Sequence, residues 1–434
     1  MPQPLTARFR ERRQHVLQAI PNGLLLVPSQ PVAIRNNDVE HPYRQHSDLW
    51  YLSGFDEPES VLVLSTSSER PFTLFVRERD PEREVWDGAR AGVEGAKEYF
   101  GADEAHAITK LDEVLPKLLE NVDHLYYRLG VDREFDDRVL RAVANVRRRA
   151  RRGQRYPTHI IDPSSVIHEL RLHKDSEEIG LMRRAASITC EAHRLAMSAC
   201  RPGMHEYEIE AVLAAHFLKS GSHRPAYPSI VGSGPNSTVL HYHENNRKMD
   251  DGDLLLIDAG CEYSYYASDV TRTFPVNGRF SPAQKAVYEV VLAAELAAIE
   301  ATRTGATLDG IHDVALREIV RGLIDLGLVG APFDEALEKE LFKPYFMHKT
   351  SHFLGMDVHD VGAYFVAGKP RSLEPGMVIT VEPGIYISDK ADVPSAYRGI
   401  GIRIEDDVLV TPAGNEVLTN SAPKSIADVE AACS

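Results

Sequence analysis

Short unbroken apolar runs alternate with longer runs of helical period in the first part of this chain. The runs GLLLVPS, SVLVLSTS and FTLFVRE predict buried strands, and a fourth strand is predicted over 124–129. Helical patterns cover residues 5–20, 95–99 and 111–119. Because strands and helices alternate, the sequence predicts a small α/β domain.

A helix start near residue 175 indicates where a second domain begins. Asp175, with Glu178 three residues later, forms a capping box ahead of an apolar helical pattern. The preceding Asp-Pro-Ser-Ser stretch, residues 162–165, predicts a connection. We therefore expect an N-terminal domain over 1–172 and a C-terminal domain over 173–434.

The second part repeats one order of elements. A predicted helix over 206–221 precedes strands at 229–232 and 238–242. Ser281, Pro282 and Gln284 then supply an N-cap, a first-turn proline and an N3 glutamine, which predict a helix to about residue 304. Another predicted helix over 308–326 precedes further strands. Two helices followed by strands, twice over, predict two similar halves with a site between them.

Asp258 is unusual because it directly follows the apolar run 254–257, which predicts a strand buried on both faces. Asp269 lies on the next predicted strand, and a tight turn at residues 263–264 would place the two aspartates opposite each other. Opposed residues have Cβ atoms ~4.5–5.5 Å apart, so these carboxylates would repel unless a cation lay between them. The alternative is a solvated hairpin with two surface aspartates.

Further polar residues follow apolar runs in the second half. His348, His352 and His359 occur in a stretch without helical period, which predicts extended or irregular backbone. Glu382 follows the apolar run 378–381, and Glu405 alternates with isoleucines at the end of another strand pattern. Arg403 shares the face of Glu405 and could neutralise one carboxylate as an ordinary salt bridge.

Four carboxylates and one imidazole thus belong to predicted apolar strands or to the stretch between them. That many negative charges in a dry site require roughly two divalent cations. Ligands that are mostly oxygen favour Mn²⁺, although Zn²⁺ and Co²⁺ would also bind. Two such ions, ~3.5–4 Å apart, would share bridging carboxylates and a bridging water of lowered pKa. The set of candidate metal ligands is Asp258, Asp269, His352, Glu382 and Glu405.

Composition narrows the classes of function. The chain has 434 residues, 43% hydrophobic and 26% charged, as in a soluble globular protein. A net charge of −15 argues against nucleic acid and anionic membranes as partners. The first twenty residues carry charges throughout, and no apolar run approaches ~20 residues, so a cytoplasmic location is expected. The four cysteines have no C-x-x-C spacing, which favours free thiols.

Several ordered motifs resemble one family. DAGxxYxxYxxDVTRTF, SHFLGMDVHDVG, VEPGIY and GIRIEDD resemble the metal-dependent pita-bread peptidases over about residues 179–420. Within them, QHSDLWYLSGF at 45–55 is similar to the N-terminal domain of the bacterial aminopeptidase P (Xaa-Pro aminopeptidase) family. The resemblance implies an α/β N-terminal domain and an α+β pita-bread C-terminal domain, with two similar halves and a curved, mainly antiparallel sheet.

The resemblance also implies roles for residues. The five residues of the set would be the ligands of a dinuclear site, with Asp269 and Glu405 bridging the ions. A further group would bind substrate: His241, His348, His359, Tyr386 and Arg403. Manganese and a homo-oligomer, a dimer or tetramer, are implied as well.

The activity expected from this resemblance is release of the N-terminal residue from peptides with proline in the second position. A metal-bridging hydroxide would attack, Glu382 would shuttle a proton, His359 would stabilise the oxyanion, and His241 would help form the proline pocket. Prolidase, which accepts only Xaa-Pro dipeptides, is the nearest alternative. A non-enzymatic binding protein on the same fold is the alternative of another class. The motifs G-x-S-x-G, H-E-x-x-H and the P-loop do not occur in the sequence.

Overall fold

The computed structural model describes residues 7–150 and 153–434. One unit of the fold ends at Arg171, and the other covers Leu172–Ser434. The first helix begins at Ala7, so residues 5 and 6 of the predicted 5–20 helix lie outside the described residues. Among the helices of the described ranges, none has the length and apolar content that crossing a bilayer requires.

The N-terminal unit is built on a six-stranded mixed sheet in the order β6-β5-β4-β1-β7-β8. The strands are β1 (Gly23–Pro28), β2 (Ile34–Asn36), β3 (Val39–Glu40), β4 (Val61–Ser65), β5 (Phe72–Val76), β6 (Glu104–Ala107), β7 (His124–Tyr126) and β8 (His159–Ile161). The helices are α1 (Ala7–Ala19), α2 (Ser47–Ser53), α3 (Pro81–Asp87), α4 (Gly92–Glu98), α5 (Leu111–Leu118), α6 (Arg133–Arg149) and α7 (Ser164–Leu172). The four predicted strands and three predicted helices are present, which confirms the α/β prediction.

The predicted connection over 162–165 is only partly correct, because α7 already begins at Ser164. Asp162 Oδ1 accepts a hydrogen bond from the Ser164 backbone N–H at 2.8 Å, and the N–H of Val166 reaches the carbonyl of Pro163 at 2.9 Å. A side-chain acceptor followed by proline is a helix start as well as a turn, and here it starts a helix.

The first half of the C-terminal unit contains α8 (Ser176–Ala199), α9 (Glu206–Lys219), β9 (Arg224–Pro225), β10 (Ile230–Ser233), β11 (Leu254–Asp258), β12 (Cys261–Tyr263), β13 (Tyr266–Ala267) and β14 (Thr271–Pro275). The Asp175 capping box is present. The strand predicted at 238–242 is wrong, because a 3₁₀ turn, Gly234–Thr238, occupies its start. Ser237 Oγ and Thr238 Oγ1 donate to the carbonyls of Gly234 and Pro235, and such local bonds compete with strand pairing.

The second half contains α10 (Pro282–Ala301), α11 (Leu308–Asp325), α12 (Phe333–Glu338), β15 (Phe365–Val366), β16 (Lys369–Pro370), β17 (Val378–Val381), β18 (Gly384–Ile387), β19 (Ile400–Arg403), β20 (Asp406–Thr411), β21 (Gly414–Val417) and α13 (Ile426–Ala432). The Ser281 capping box forms as predicted, and α10 ends three residues before the predicted position. The order of two helices followed by strands therefore occurs twice.

The strand pairs of the C-terminal unit are antiparallel, as predicted. One large apolar core lies between its helices and sheets. Strands of the two halves also bond directly: Thr273 Oγ1 on β14 donates to the Arg403 carbonyl on β19 at 3.0 Å. The four cysteines are buried and free. Polar residues at the ends of β11, β17 and β19 are consequently brought toward one another.

Candidate active site

The hairpin that carries Asp258 and Asp269 has a different register from the predicted one. Asp258 pairs with Thr271, and the turn lies at Ser264 and Tyr265, which have φ of 48° and 71°. Moving a turn by one residue shifts the strand register by two, so the prediction that the two aspartates are opposed is wrong. Because side chains alternate with a period of two, a shift of two keeps both carboxylates on the same face.

Gly260 makes the approach of the two strands possible beside these aspartates. A Cβ atom at this position would lie 1.7 Å from the Ser268 carbonyl oxygen, which no side chain can tolerate. The N–H of Ser268 donates to the Cys261 carbonyl at 3.1 Å, and that of Ala259 donates to the Val270 carbonyl at 3.1 Å. The close contact therefore fixes the position of Asp269, which follows Ser268 between β13 and β14.

A tyrosine hydroxyl joins the two aspartates. Tyr227 Oη contacts Asp258 Oδ1 at 2.6 Å and also hydrogen-bonds Asp269 Oδ1. Burial and the two neighbouring carboxylates raise the pKa of Tyr227 well above its usual range. Because one hydroxyl has one proton, it can donate fully to only one of the carboxylates. Tyr227 was not identified from sequence, since its partners are 31 and 42 residues away.

The second half supplies an imidazole on irregular backbone, as predicted. His352 lies beside β17, where the N–H of Thr380 donates to its carbonyl at 3.0 Å. Its Nε2 is 3.4 Å from Asp269 Oδ2 and 3.5 Å from Glu382 Oε1, while its Nδ1 is 3.0 Å from the Phe353 carbonyl. A carbonyl at Nδ1 places the ring proton there and leaves Nε2 directed at the carboxylates.

The electrostatics of this cluster favour positive charge. Burial opposes protonation of His352, but Asp269 and Glu382 outweigh it and raise its pKa to about 9. Burial raises the pKa of Glu382 to about 7, although His352 and Arg403 act against this shift. Burial, followed by Asp269 and Glu382, raises the pKa of Glu405 well above its usual range. Groups that retain protons against their usual tendency will release them when a cation binds.

Glu405 is held from two directions. Thr271 Oγ1 donates to Glu405 Oε2 at 2.6 Å, and the N–H of Glu405 donates to the Thr271 carbonyl at 3.1 Å. The fully buried Arg272 donates to the Glu405 carbonyl at 2.6 Å and to Asp406 Oδ1 at 2.8 Å. The same guanidinium donates to the carbonyls of Ala422 and Pro423 at 3.1 and 3.0 Å. The backbone that carries Glu405 is thereby fixed to a distant segment of the chain.

Arg403 forms a salt bridge with one carboxylate, as expected from sequence. Its partner is Asp258 and not Glu405, which shares its strand face. Its Nη2 lies 2.6 Å from Asp258 Oδ2, and its Nη1 donates to Tyr386 Oη at 2.8 Å. His348 Nε2 approaches the same hydroxyl at 2.8 Å. Arg403 therefore neutralises one carboxylate of the cluster. Within the described part of the chain, no guanidinium forms a salt bridge with Asp269, Glu382 or Glu405.

The donor set fits a metal ion. One ligand atom from each of Asp269, His352 and Glu405 lies within 4.8 Å of the others. Carboxylate oxygens with one imidazole nitrogen suit hard or borderline divalent cations. Asp258 and Glu382 face the same cavity, so all five predicted ligands are brought together.

A cavity of about 390 Å³ opens over this cluster. His241, His348, His359 and Arg403 line it, as do the apolar side chains of Pro228, Ile230, Leu240 and Val358. Tyr386 lies behind the wall, 2% exposed, and packs with Ile230, Tyr242 and Leu256. The His359 ring meets the His352 ring edge to face, with centroids 4.5 Å apart. Of the ten predicted site residues, nine line one cavity, and Tyr386 touches two of them.

Two models of known protein families match the sequence of this chain. The model of metallopeptidase family M24 matches residues 180–412, and the model of the aminopeptidase P N-terminal domain matches residues 9–126. This chain belongs to metallopeptidase family M24. The prediction of an α/β N-terminal domain and a pita-bread C-terminal domain is thereby confirmed, and the chain is a metal-dependent hydrolase.

Individual M24 relatives are similar over nearly their whole length. The Xaa-Pro aminopeptidase of Escherichia coli is 45% identical over 98% of this chain and 96% of the relative. The structure of Pseudomonas aeruginosa aminopeptidase PepP has a TM-score of 0.97 at 48% identity and covers 100% of this chain and 99% of that one. A zinc-substituted E. coli aminopeptidase P in complex with product has a TM-score of 0.96 at 44% identity, covering 99% of both chains.

His243 and Lys349 also line the cavity over the carboxylate cluster, and they were not identified from sequence. His243 stacks beside His241, with ring centroids 6.4 Å apart, and the spacing of two within 241–243 indicated that both could lie on one side of the chain. Lys349 lies next to His348, and its Nζ is 3.1 Å from Asp309 Oδ1. The only hint of Lys349 in the sequence was its position directly after His348, a predicted site residue.

Proposed function

We propose that this protein is a metal-dependent Xaa-Pro aminopeptidase, which hydrolyses the bond between an N-terminal residue and a following proline. The observation that carries the proposal is the convergence of Asp269, His352 and Glu405 within 4.8 Å in a chain of family M24. The name Xaa-Pro aminopeptidase, carried by relatives that match almost the whole chain, supplies the reaction.

The five residues that face the cavity would hold two divalent ions, most simply Mn²⁺, with Zn²⁺ or Co²⁺ as substitutes. Asp258, Asp269, Glu382 and Glu405 would offer carboxylate oxygens as ligand atoms, and His352 would offer a ring nitrogen. When bound, such ions supply Lewis acidity and a water of lowered pKa. The charge balance supports this occupancy, because Arg403 forms a salt bridge with only one of the five predicted ligands, Asp258.

Two residues would handle protons and charge during hydrolysis. Glu382, whose carboxylate faces the cavity, can take a proton from the attacking water and return it to the proline nitrogen. Burial and the neighbouring His352 lower the pKa of His359, so near neutral pH it is an uncharged ring with one N–H. That N–H would donate to the carbonyl oxygen as negative charge develops on it.

The proline ring would lie against His241, His348 and the apolar residues of the wall. Tyr386 would act from behind, because its hydroxyl holds both His348 and Arg403. Proline offers no N–H at the bond to be cleaved, so recognition has to come from the shape of the ring. A wall built of imidazoles and aliphatic carbons suits that requirement.

The names of the relatives favour an aminopeptidase over a prolidase, and three assays test the choice. Metal content is measured first, then cleavage of a Xaa-Pro-Xaa tripeptide, then cleavage of the matching Xaa-Pro dipeptide. We expect bound metal, loss of activity on chelation with recovery on added Mn²⁺, and a higher kcat/KM for the tripeptide. Full turnover by metal-free protein would overturn the proposal, and preference for the dipeptide would establish prolidase instead.

The non-enzymatic alternative finds no support in the ligand set, since all five predicted ligands face one cavity. A homo-oligomer, either dimer or tetramer, a cytoplasmic location and the absence of nucleic-acid partners remain part of the proposal. Sedimentation velocity of the metal-loaded protein tests the first of these, and a monomer at micromolar concentration would contradict it.

A further inference from the structure

His359 lies on a segment that has little regular structure of its own. Between residues 351 and 362 the only ladder contact is an isolated bridge from Phe353 to Ile379. The N–H of Asp360 donates to the Phe353 carbonyl at 2.8 Å, which closes a loop around residues 354–359. A few backbone bonds to neighbouring elements, such as that from the Leu354 N–H to the Val378 carbonyl at 3.0 Å, and side-chain contacts supply the rest of the order.

The residue directly after His359 takes part in a deeply buried ion pair. Lys174 Nζ lies 3.0 Å from Asp360 Oδ2, and each side chain is 1% exposed. Lys174 precedes α8, and its N–H donates to the Gly376 carbonyl at 2.9 Å. Its ammonium also reaches the Leu172 carbonyl at 3.3 Å. Lys174 is thus anchored at both its backbone and its side chain.

The loop is fitted closely around the Asp360 carboxylate. A Cβ on Gly355 would lie 2.0 Å from Asp360 Oδ2 and 2.9 Å from Lys174 Cε. A Cβ on Gly362, where φ is +142°, would lie 2.9 Å from Leu172 Cδ1. Neither Lys174 nor Asp360 lines the cavity. A buried ion pair is a poor source of net stability but a strict constraint on where its two charges lie.

We propose that the Lys174–Asp360 pair is a positioning device for His359, which it holds at the cavity edge against the His352 ring. The inference rests on the role that the proposed function gives to His359. Lys174 and Asp360 are positioning residues that never touch substrate. A misplacement of ~1 Å at a reacting group can lower the rate ~100-fold, so loss of the pair reaches kcat through His359 alone.

A double-mutant cycle on Xaa-Pro-Xaa hydrolysis tests this coupling. Lys174→Met should lower kcat about 10- to 100-fold, with KM within about threefold of the wild-type value and metal content unchanged. His359→Ala should lower kcat about 100-fold or more. In the His359→Ala background, Lys174→Met should have no further effect on kcat. Additive losses, or a wild-type kcat in Lys174→Met, would overturn the inference.

Two further variants separate positioning from folding. Lys174→Met removes one charge of a buried ion pair, so Lys174→Met/Asp360→Asn removes both charges and should fold if the single variant does not. It should show the same loss of kcat and the same absence of effect with His359→Ala. The matched control is Arg171→Met, which breaks another buried ion pair, with Asp48 at 2.7 Å, in the N-terminal unit. It should lower thermal stability and leave kcat unchanged.

The two proposals fail in different ways. If the metal-loaded wild type does not hydrolyse Xaa-Pro-Xaa peptides, the proposed function is wrong. If the wild type turns over and the cycle is additive, only the inference about Lys174 and Asp360 is wrong.

Discussion

Asp258 and Asp269 are both aspartates at the edge of one cavity, yet their surroundings differ. Both contact the Tyr227 hydroxyl, but Arg403 pairs with Asp258 alone, whereas Asp269 faces His352 and belongs to the group of three closely spaced ligand atoms. Asp269 therefore needs a bound cation to balance its negative charge more than Asp258 does.

Substitution of Asp269 should affect metal binding and rate together. Asp269→Asn removes one negative charge from the closely spaced ligands, so we expect metal affinity to fall by at least about 100-fold and kcat/KM to fall with it. Metal analysis after dialysis and kinetics at fixed Mn²⁺ measure the two effects. Asp251→Asn, at an exposed position, is the control. Unchanged metal content with normal kinetics would contradict a ligand role.

A second residue prediction concerns acid stability. Burial lowers the pKa of His193 to about 4, and its Nε2 lies 3.0 Å from the Ala259 carbonyl beside Asp258. The unfolded chain, with a His pKa of about 6.5, binds the proton first as pH falls. His193 therefore contributes stability above pH ~6.5 that is lost as pH falls toward 4, about 2 kcal/mol between pH 7.5 and 5.

Unfolding of metal-free protein by guanidinium at these two pH values tests the His193 prediction. His193→Gln keeps a donor for the carbonyl but does not titrate, so its loss of stability on acidification should be smaller than that of the wild type by about 2 kcal/mol. Equal losses in the two proteins would mean that other groups control the acid response.

At the scale of elements, the strand ends were predictable and the turn was not. Apolar runs that stop at a carboxylate marked β11 and β17 because burial and charge are properties of single residues. The turn uses Ser264 and Tyr265 at positive φ, where sequence preference favours Gly or Asn. The prediction therefore placed it one residue early. The capping boxes at Asp175 and Ser281 were correct because they depend on residues three apart.

The approach of the strands at Gly260 gives a prediction for the hairpin. Gly260→Ala forces Ser268 away, so we expect the free energy of unfolding to fall by about 3 kcal/mol or more, with weaker metal binding because Asp269 follows Ser268. Gly180→Ala is the matched control. It adds the same methyl to an exposed, open position of α8 and should stabilise by about 1 kcal/mol. Chemical denaturation of the two variants would settle the point, and equal stability would refute the steric argument.

At the scale of the whole molecule, the sequence predicted two halves and which side chains they contribute. It could not predict the contacts between them. Tyr227, the Arg403 bridge to Asp258 and the Thr271 bond to Glu405 all join residues that are distant in the chain. Such pairs have no periodic signature, because only tertiary packing brings them together. Tyr227 and Asp258 meet within the first half, and the other two pairs join the two halves.

Because the proposed ligands come from both halves, metal should stabilise the folded chain. Binding to the native state alone adds RT ln(1 + [M]/Kd), about 2.7 kcal/mol at one hundred times Kd. We expect Mn²⁺ to raise the Tm of chelator-treated protein in a concentration-dependent way, measured by calorimetry. The Asp269→Asn variant should show little of this shift. A Tm that is independent of Mn²⁺ in the wild type would contradict the ligand assignment.

The Arg272 guanidinium has a practical consequence for anyone who shortens this protein. Its bonds to the Ala422 and Pro423 carbonyls make the last thirteen residues part of the support for Glu405, although none of them lines the cavity. Deleting them would leave the fully buried Arg272 guanidinium with two carbonyl acceptors missing. An affinity tag is better fused beyond Ser434 than substituted for that tail.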